Sequence, residues 1–142
     1  MAVFPTITVD RSSINISDMT AVLEGDDRVV FAYPYGSFLE EGPFRDVDIA
    51  VFTSPDENPF EVSADLKIAL SRRTGIPPDC FDIRVINQVV DTCDLTGLLY
   101  LEDVFTKGRR LVDKDRQILA DYLERFGWRY RECLGLIQEF LS

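Results

Sequence analysis

Two aspartates, Asp46 and Asp48, open the stretch DVDIAVF, whose other members are apolar. Residues i and i+2 of a strand point to the same face, so these two carboxylates would lie about 6 to 7 Å apart on one side. Like charges at that distance repel each other unless a cation lies between them. The pair therefore either faces water or holds a metal ion, and one or two Mg²⁺ ions suit a site made of carboxylate oxygens.

Two further features could belong to the same site. Gly36 and Ser37 directly follow the apolar run RVVFAYPY. A glycine there lets backbone N–H groups approach a phosphate, and a serine hydroxyl adds a donor, although alone a Gly-Ser pair indicates only a turn. Asp82 lies on the polar side of the alternating run CFDIRVIN. If the strands pair suitably, three carboxylates converge beside the Gly-Ser turn.

The composition excludes several other kinds of chemistry. The chain has 142 residues and no histidine, which rules out Ser-His-Asp triads, Cys-His pairs, HExxH zinc sites and histidine general bases. Catalysis would have to rest on carboxylates, hydroxyls, Lys, Arg, Tyr or a hard metal ion. The net charge is −10, and proteins that follow a nucleic-acid backbone usually show the opposite balance, so no direct nucleic-acid substrate is expected.

The cysteines and the apolar runs indicate a cytoplasmic protein. Cys80, Cys93 and Cys133 are an odd number without CxxC spacing, which favours reduced thiols over a disulfide framework or a zinc site. No apolar run reaches the roughly 18 residues that span a bilayer. The first ten residues lack the basic and apolar segments of a signal peptide, so we expect no membrane association.

Strands alternate with helices along the chain. Turn and capping residues set the predicted boundaries: Asn58 can cap a helix that begins at Pro59, and Gly75 can end it. The predicted strands are 29–33, 46–52 and 80–87, and the predicted helices are 15–24, 59–74, 94–105 and 113–141, the last either continuous or broken near Gly127. This order predicts an α/β (α+β) fold, in which helices pack on a small mixed sheet.

The chain length suits one domain, residues 1–142, with a core at about 28–112 and a C-terminal helical segment at about 113–141. Apolar side chains recur at helical spacing along this last segment. They are Leu119, Tyr122, Phe126, Tyr130, Cys133, Ile137 and Phe140. Such a stripe is more often core, but it could also be a surface on which a partner docks.

The order of these elements resembles that of a known superfamily. A strand, a Gly-Ser turn, an Asp-x-Asp strand, a helix and a strand with a third aspartate are similar to the DNA polymerase β-like nucleotidyltransferases. The small size resembles the minimal members, the MNT-domain or MntA-like antitoxins. The resemblance covers roughly residues 28–115, and the segment YLERFGWRYRECLGLIQEFL is similar to the closing helix of the family, which carries a tyrosine. It implies the polymerase β-like nucleotidyltransferase fold with a long C-terminal helix.

The resemblance also implies roles for the candidate residues. Gly36 and Ser37 would hold the triphosphate of ATP, and Asp46 and Asp48 would bind Mg²⁺. Asp82 would help to activate the acceptor hydroxyl or share a second metal ion. Such phosphoryl-type transfer depends on positioning and electrostatics and needs no histidine.

In this family, minimal nucleotidyltransferases are commonly paired with a HEPN-domain toxin. The resemblance therefore implies an antitoxin that transfers AMP from ATP to a tyrosine hydroxyl of a HEPN toxin and forms a hetero-oligomer with it. An acidic chain suits a basic partner that cuts RNA, because complementary fields speed association.

Two alternatives remain open. Glu40 and Glu41 lie in the loop where family members usually carry small or basic residues, and acids near a triphosphate weaken its binding. They favour an antitoxin that acts by binding alone, with a weak or vestigial nucleotide site, although Arg45 could offset them. A transferase that modifies a small hydroxylated molecule is the other alternative, for which the chain is short.

Overall fold

The computed structural model describes residues 16–36, 46–92 and 94–141. Helices and strands alternate through these ranges largely as the sequence predicts. The helices are α1 Ile16–Gly25, α2 Pro59–Thr74, α3 Leu95–Lys107 and α4 Arg116–Leu141. The strands are β1 Val29–Tyr35, β2 Val47–Thr53, β3 Phe81–Val85 and β4 Val112–Asp113, and short 3₁₀ turns occupy Pro78–Cys80 and Val89–Asp91.

The four strands form one mixed sheet in the order β3-β2-β1-β4. Strand β1 pairs antiparallel with β2 and with β4, whereas β2 and β3 are parallel. Parallel neighbours need a long crossover connection, and α2 supplies it here. The mixed sheet predicted from the sequence is confirmed.

Each face of the sheet carries a layer of helices. Val47, Ile49 and Val51 are fully buried in a core shared with α1 and α2. On the opposite face, Ala50 and Phe31 belong to a second core shared with α3 and α4. The side chains of β2 therefore alternate between the two faces as predicted. Asp48 lies on the face that carries α3 and α4.

Local capping explains the bounds of α2. The side-chain oxygen of Asn58 accepts hydrogen bonds from the N–H groups of Phe60 (2.9 Å) and Glu61 (3.3 Å), and Pro59 occupies the first turn. The helix ends at Gly75, whose φ of 77° is a left-handed conformation that glycine adopts without strain.

Helix α4 runs without a break through Gly127. Its first turns are anchored by Leu119 and Tyr122, which are buried, and the Tyr122 hydroxyl donates a 2.6 Å hydrogen bond to the carbonyl of Ile86. Beyond Tyr122 the described side chains are only half-buried or exposed, and Trp128 is 60% exposed. The apolar stripe is thus core at its start only. The side chain of its last member, Phe140, lies outside the described part.

Among the described helices, none combines the length and the hydropathy that crossing a bilayer requires.

Candidate functional site

Strand pairing brings two of the predicted site residues together. In the parallel pair β2–β3, Asp48 lies directly opposite Asp82, and in the antiparallel pair β1–β2, Tyr35 lies opposite Asp48. Tyr35, Asp48 and Asp82 therefore form a row across three neighbouring strands, on the face that α3 covers further along the sheet. Asp48 is half-buried and Asp82 is exposed.

Asp46 immediately precedes β2 and is exposed. It lies two residues before Asp48, which places it on the same side of the sheet. Its negative charge is near enough to raise the pKa of Asp48. The structure thus places Asp46 beside the row rather than in it.

The protonation of Asp48 reflects this crowding. Its pKa is raised from 3.8 to about 6, first by burial and then by the negative charges of Asp82 and Asp46. Burial and neighbouring carboxylates both disfavour the charged form of an acid. A bound cation would reverse the second effect, because it would attract the carboxylates that now repel one another.

The donor atoms suit Mg²⁺, but the described residues do not assemble a complete ligand set. In residues 16–36, 46–92 and 94–141, no three acidic, cysteine or histidine side chains are arranged to bind one ion. Mg²⁺ is commonly held by only one or two carboxylates, with water and substrate phosphates as its other ligands. The Asp48–Asp82 pair fits that requirement. Joint ligation by Asp46, Asp48 and Asp82 stays a prediction.

Gly36 lies against the Asp48 carboxylate. Its φ is +94°, and a Cβ at this position would lie 2.6 Å from Oδ2 of Asp48. Both the backbone conformation and the close approach require glycine. The predicted turn therefore meets the predicted carboxylate directly. Ser37, together with Glu40, Glu41 and Arg45, lies outside the described residues, and its phosphate-binding role stays a prediction.

Next to the row lies a wall formed by the side chains of Tyr35, Tyr100 and Arg84. The sequence alone did not indicate this wall. The rings of Tyr35 and Tyr100 meet edge to face at 5.3 Å between centroids, and the guanidinium carbon of Arg84 lies 4.2 Å from the centre of the Tyr100 ring. Burial raises the pKa of Tyr35 to about 12, and the charges of Asp48 and Asp82 contribute to that rise. Burial also raises the pKa of Tyr100.

The end of α3 is held close to this wall. The N–H of Arg109 donates a 2.9 Å hydrogen bond to the carbonyl of Pro34. A Cβ on Gly108 would lie 3.0 Å from that same carbonyl oxygen and 3.3 Å from Cβ of Tyr35. The small residue therefore lets the chain leaving α3 pack directly on the end of β1, next to Tyr35 and Gly36.

Comparison with known proteins gives matches among solved structures only. No protein-family model matches the chain, and no curated protein matches it. It is similar to a chain of a toxin–antitoxin MntA-HpeT mutant in which two aspartates, two positions apart, are replaced by glutamate, with 14% identity and a TM-score of 0.61. That match covers 91% of this chain and 100% of the other.

Two other toxin–antitoxin crystal structures match to the same extent. One is an MntA-HpeT mutant in which a tyrosine is replaced by alanine, with 16% identity, a TM-score of 0.62 and coverage of 91% of this chain and 99% of the other. The other is a toxin–antitoxin with AMP-PNP, with 16% identity, a TM-score of 0.61 and coverage of 91% and 100%. The chain therefore has the same fold as these MntA-HpeT toxin–antitoxin chains, as its sequence predicts.

Proposed function

We propose that this protein is an Mg²⁺-dependent nucleotidyltransferase and the antitoxin of a toxin–antitoxin pair. It transfers AMP from ATP to a tyrosine hydroxyl of a HEPN-domain toxin. The observation that carries the proposal is the Asp48–Asp82 pair, which the β2–β3 register places side by side, with the Asp48 carboxylate lying against Gly36.

The carboxylates have separate tasks in the proposed reaction. Asp46 and Asp48 hold Mg²⁺, which when bound neutralises charge on the phosphates of ATP. Asp82, the exposed member of the row, either takes the proton of the acceptor hydroxyl or shares a second metal ion. A bond forms between the acceptor oxygen and the α-phosphorus, the bond to the β-phosphate oxygen breaks, and pyrophosphate leaves.

The nucleotide-binding part of the site is proposed at the end of β1. Gly36 adopts a positive φ and leaves no room for a side chain next to Asp48. Such a backbone can come close to a phosphate. Ser37 adds a hydroxyl donor to the same turn.

The comparisons support this proposal in two respects. A protein with the same fold was crystallised with AMP-PNP, an ATP analogue. In another, two aspartates with the i, i+2 spacing of Asp46 and Asp48 were replaced by glutamate. Both belong to toxin–antitoxin systems, which supports a toxin partner for this chain.

The charge of the chain supports the same kind of partner. A net charge of −10 favours association with a basic protein over association with nucleic acid. We propose a cytoplasmic hetero-oligomer with the toxin, in which residues 1–142 form one catalytic domain.

The reaction type can be tested with two labels. The protein, Mg²⁺ and the toxin encoded by the neighbouring gene are incubated with ATP labelled either at the α-phosphate or at the γ-phosphate. Nucleotidyl transfer puts the α label on the toxin and the γ label in pyrophosphate. Transfer of the γ label to the toxin would instead identify a kinase and contradict the proposal.

A second candidate is an antitoxin that neutralises its toxin by binding alone. It is favoured by the lack, within the described ranges, of three acidic, cysteine or histidine side chains arranged around one ion. Glu40 and Glu41 in the sequence favour it too. In that case, the Asp48→Asn variant would neutralise the toxin as well as the wild type does, and neither label would reach the toxin.

A further inference from the structure

Strands β1 to β4 contain a single basic residue, Arg84 on β3. It lies two residues after Asp82 and opposite Ala50, so it shares the sheet face of Asp82 and Asp48. Arg84 is exposed. The positive charge of Arg84 therefore lies on the same face as the carboxylates, two residues along β3 from Asp82.

A pair of tyrosines, Tyr100 and Tyr35, supports Arg84. Its guanidinium carbon lies 4.2 Å from the centre of the Tyr100 ring, and Tyr100 in turn packs against Tyr35 at 5.3 Å between ring centroids. A guanidinium lying on an aromatic face is held in place while the N–H groups at its edge stay available. Tyr35 belongs to the row with Asp48, so this tyrosine pair links the arginine to the carboxylates.

Arg84 is not used in an ion pair within the described part of the chain. The ion pairs there involve Arg28, Arg73, Lys107, Arg110, Arg125 and Arg129. Even Asp82, two residues away on the same face, does not form one with Arg84. The guanidinium is thus directed to Tyr100 and can still bind an anion.

The charge balance of the site indicates which anion Arg84 would bind. A nucleotide triphosphate carries several negative charges and must come close to three carboxylates, Asp46, Asp48 and Asp82. A planar guanidinium matches two phosphate oxygens at once, and such charged hydrogen bonds are the strong ones. Resting on the function proposed above, we propose that Arg84 binds phosphate oxygens of the nucleotide and is a substrate-binding residue.

Binding of Mg²⁺-ATP, measured by calorimetry without any acceptor, tests this role separately from turnover. Arg84→Gln should weaken binding about tenfold or more, because a hydrogen bond to a charged group is lost. Arg84→Lys should show a smaller loss, since lysine keeps the charge but not the two-point contact. The matched control is Arg72→Gln, which removes an exposed arginine from α2 on the other side of the sheet and should bind like the wild type.

The outcomes separate this inference from the proposed function. If the wild type binds Mg²⁺-ATP and Arg84→Gln binds equally well, the role of Arg84 is wrong while the proposed function stands. If the wild type does not bind Mg²⁺-ATP, the proposed function fails and the inference fails with it. The inference is also overturned if Arg84→Gln weakens binding and lowers the melting temperature, and Arg84→Lys weakens binding as much as Arg84→Gln does. That result would show that Arg84 has a structural role.

Discussion

Asp48 and Asp82 lie directly opposite each other on the parallel strands β2 and β3. Burial and the negative charges of its neighbours raise the pKa of Asp48 to about 6. Without a bound cation, the neighbouring carboxylates repel each other, which destabilises the fold. Carboxyl groups with shifted pKa values are concentrated at functional sites.

The first prediction concerns stability without metal. The folded protein holds the Asp48 proton more tightly than the unfolded chain, so stability should fall as the pH rises from about 4 to about 6. Asp48→Asn removes this effect and should raise the free energy of unfolding at pH 7.5 by about 1 kcal/mol, after allowing for solvent screening of a half-exposed group. That equals about 3 °C in melting temperature. Thermal melts in EDTA at pH 4 and pH 7.5 measure it.

The control for that experiment is Asp27→Asn, because Asp27 is exposed and lies outside the site. It lowers the net negative charge by the same amount. If Asp27→Asn raises the melting temperature as much as Asp48→Asn does, general charge repulsion explains the gain and the local explanation is wrong.

The second prediction concerns the ligand. Mg²⁺-ATP should raise the melting temperature of the wild type, because a ligand that binds only the folded state stabilises it by mass action. Asp46→Asn and Asp48→Asn should lose this response, since each removes one of the two carboxylates proposed to hold Mg²⁺. Melts with and without Mg²⁺, at constant ATP, check it. An undiminished response in both variants would exclude these residues as metal ligands.

The third prediction concerns Gly36. Gly36→Ala forces a side chain into a φ of +94° and to 2.6 Å from Oδ2 of Asp48. The strained backbone alone costs about 1 to 2 kcal/mol, so the variant should unfold at a lower denaturant concentration and bind Mg²⁺-ATP less well.

Gly127→Ala is the matched control for Gly36→Ala. Gly127 lies within α4, and a Cβ there meets no atom within 4 Å. Alanine is a better helix former than glycine, so this change should stabilise the protein by about 1 kcal/mol. Equal effects of the two glycine substitutions on stability would contradict the close approach at Gly36.

The fourth prediction concerns the anchor of α4. The buried Tyr122 hydroxyl donates a 2.6 Å hydrogen bond to the carbonyl of Ile86. Tyr122→Phe keeps the ring contacts and removes the donor, so it should cost about 1 kcal/mol in urea unfolding. Tyr130→Phe removes a 3.0 Å hydrogen bond to Glu102 in the partly exposed part of α4 and should cost less. The reverse order would show that α4 is anchored by its second half.

Local patterns were sufficient to predict much of this fold. Alternation along β2 and β3 placed Asp48 and Asp82 on the polar sides of their strands, because side chains of a strand alternate between faces. Asn58 and Gly75 marked the ends of α2, because capping depends on neighbours a few residues away. Both patterns are set by interactions between residues that are close in sequence, so they can be predicted from a short segment.

Contacts between distant segments could not be predicted in the same way. The register that places Asp48 opposite Asp82 depends on how strands separated by α2 align. The stack of Arg84 on Tyr100 brings β3 and α3 together, and no spacing in the sequence indicates it. Gly127 weakens a helix locally, yet α4 continues because Leu119 and Tyr122 bury its first turns in the core.

The most direct measurement is the intact mass of the toxin after incubation with this protein, ATP and Mg²⁺. The account predicts one or more AMP-sized additions on the toxin, located on tyrosine, and none when a variant carrying both Asp46→Asn and Asp48→Asn replaces the wild type. An unmodified toxin in a tight complex with the wild-type protein would contradict the account. It would instead identify an antitoxin that acts by binding alone.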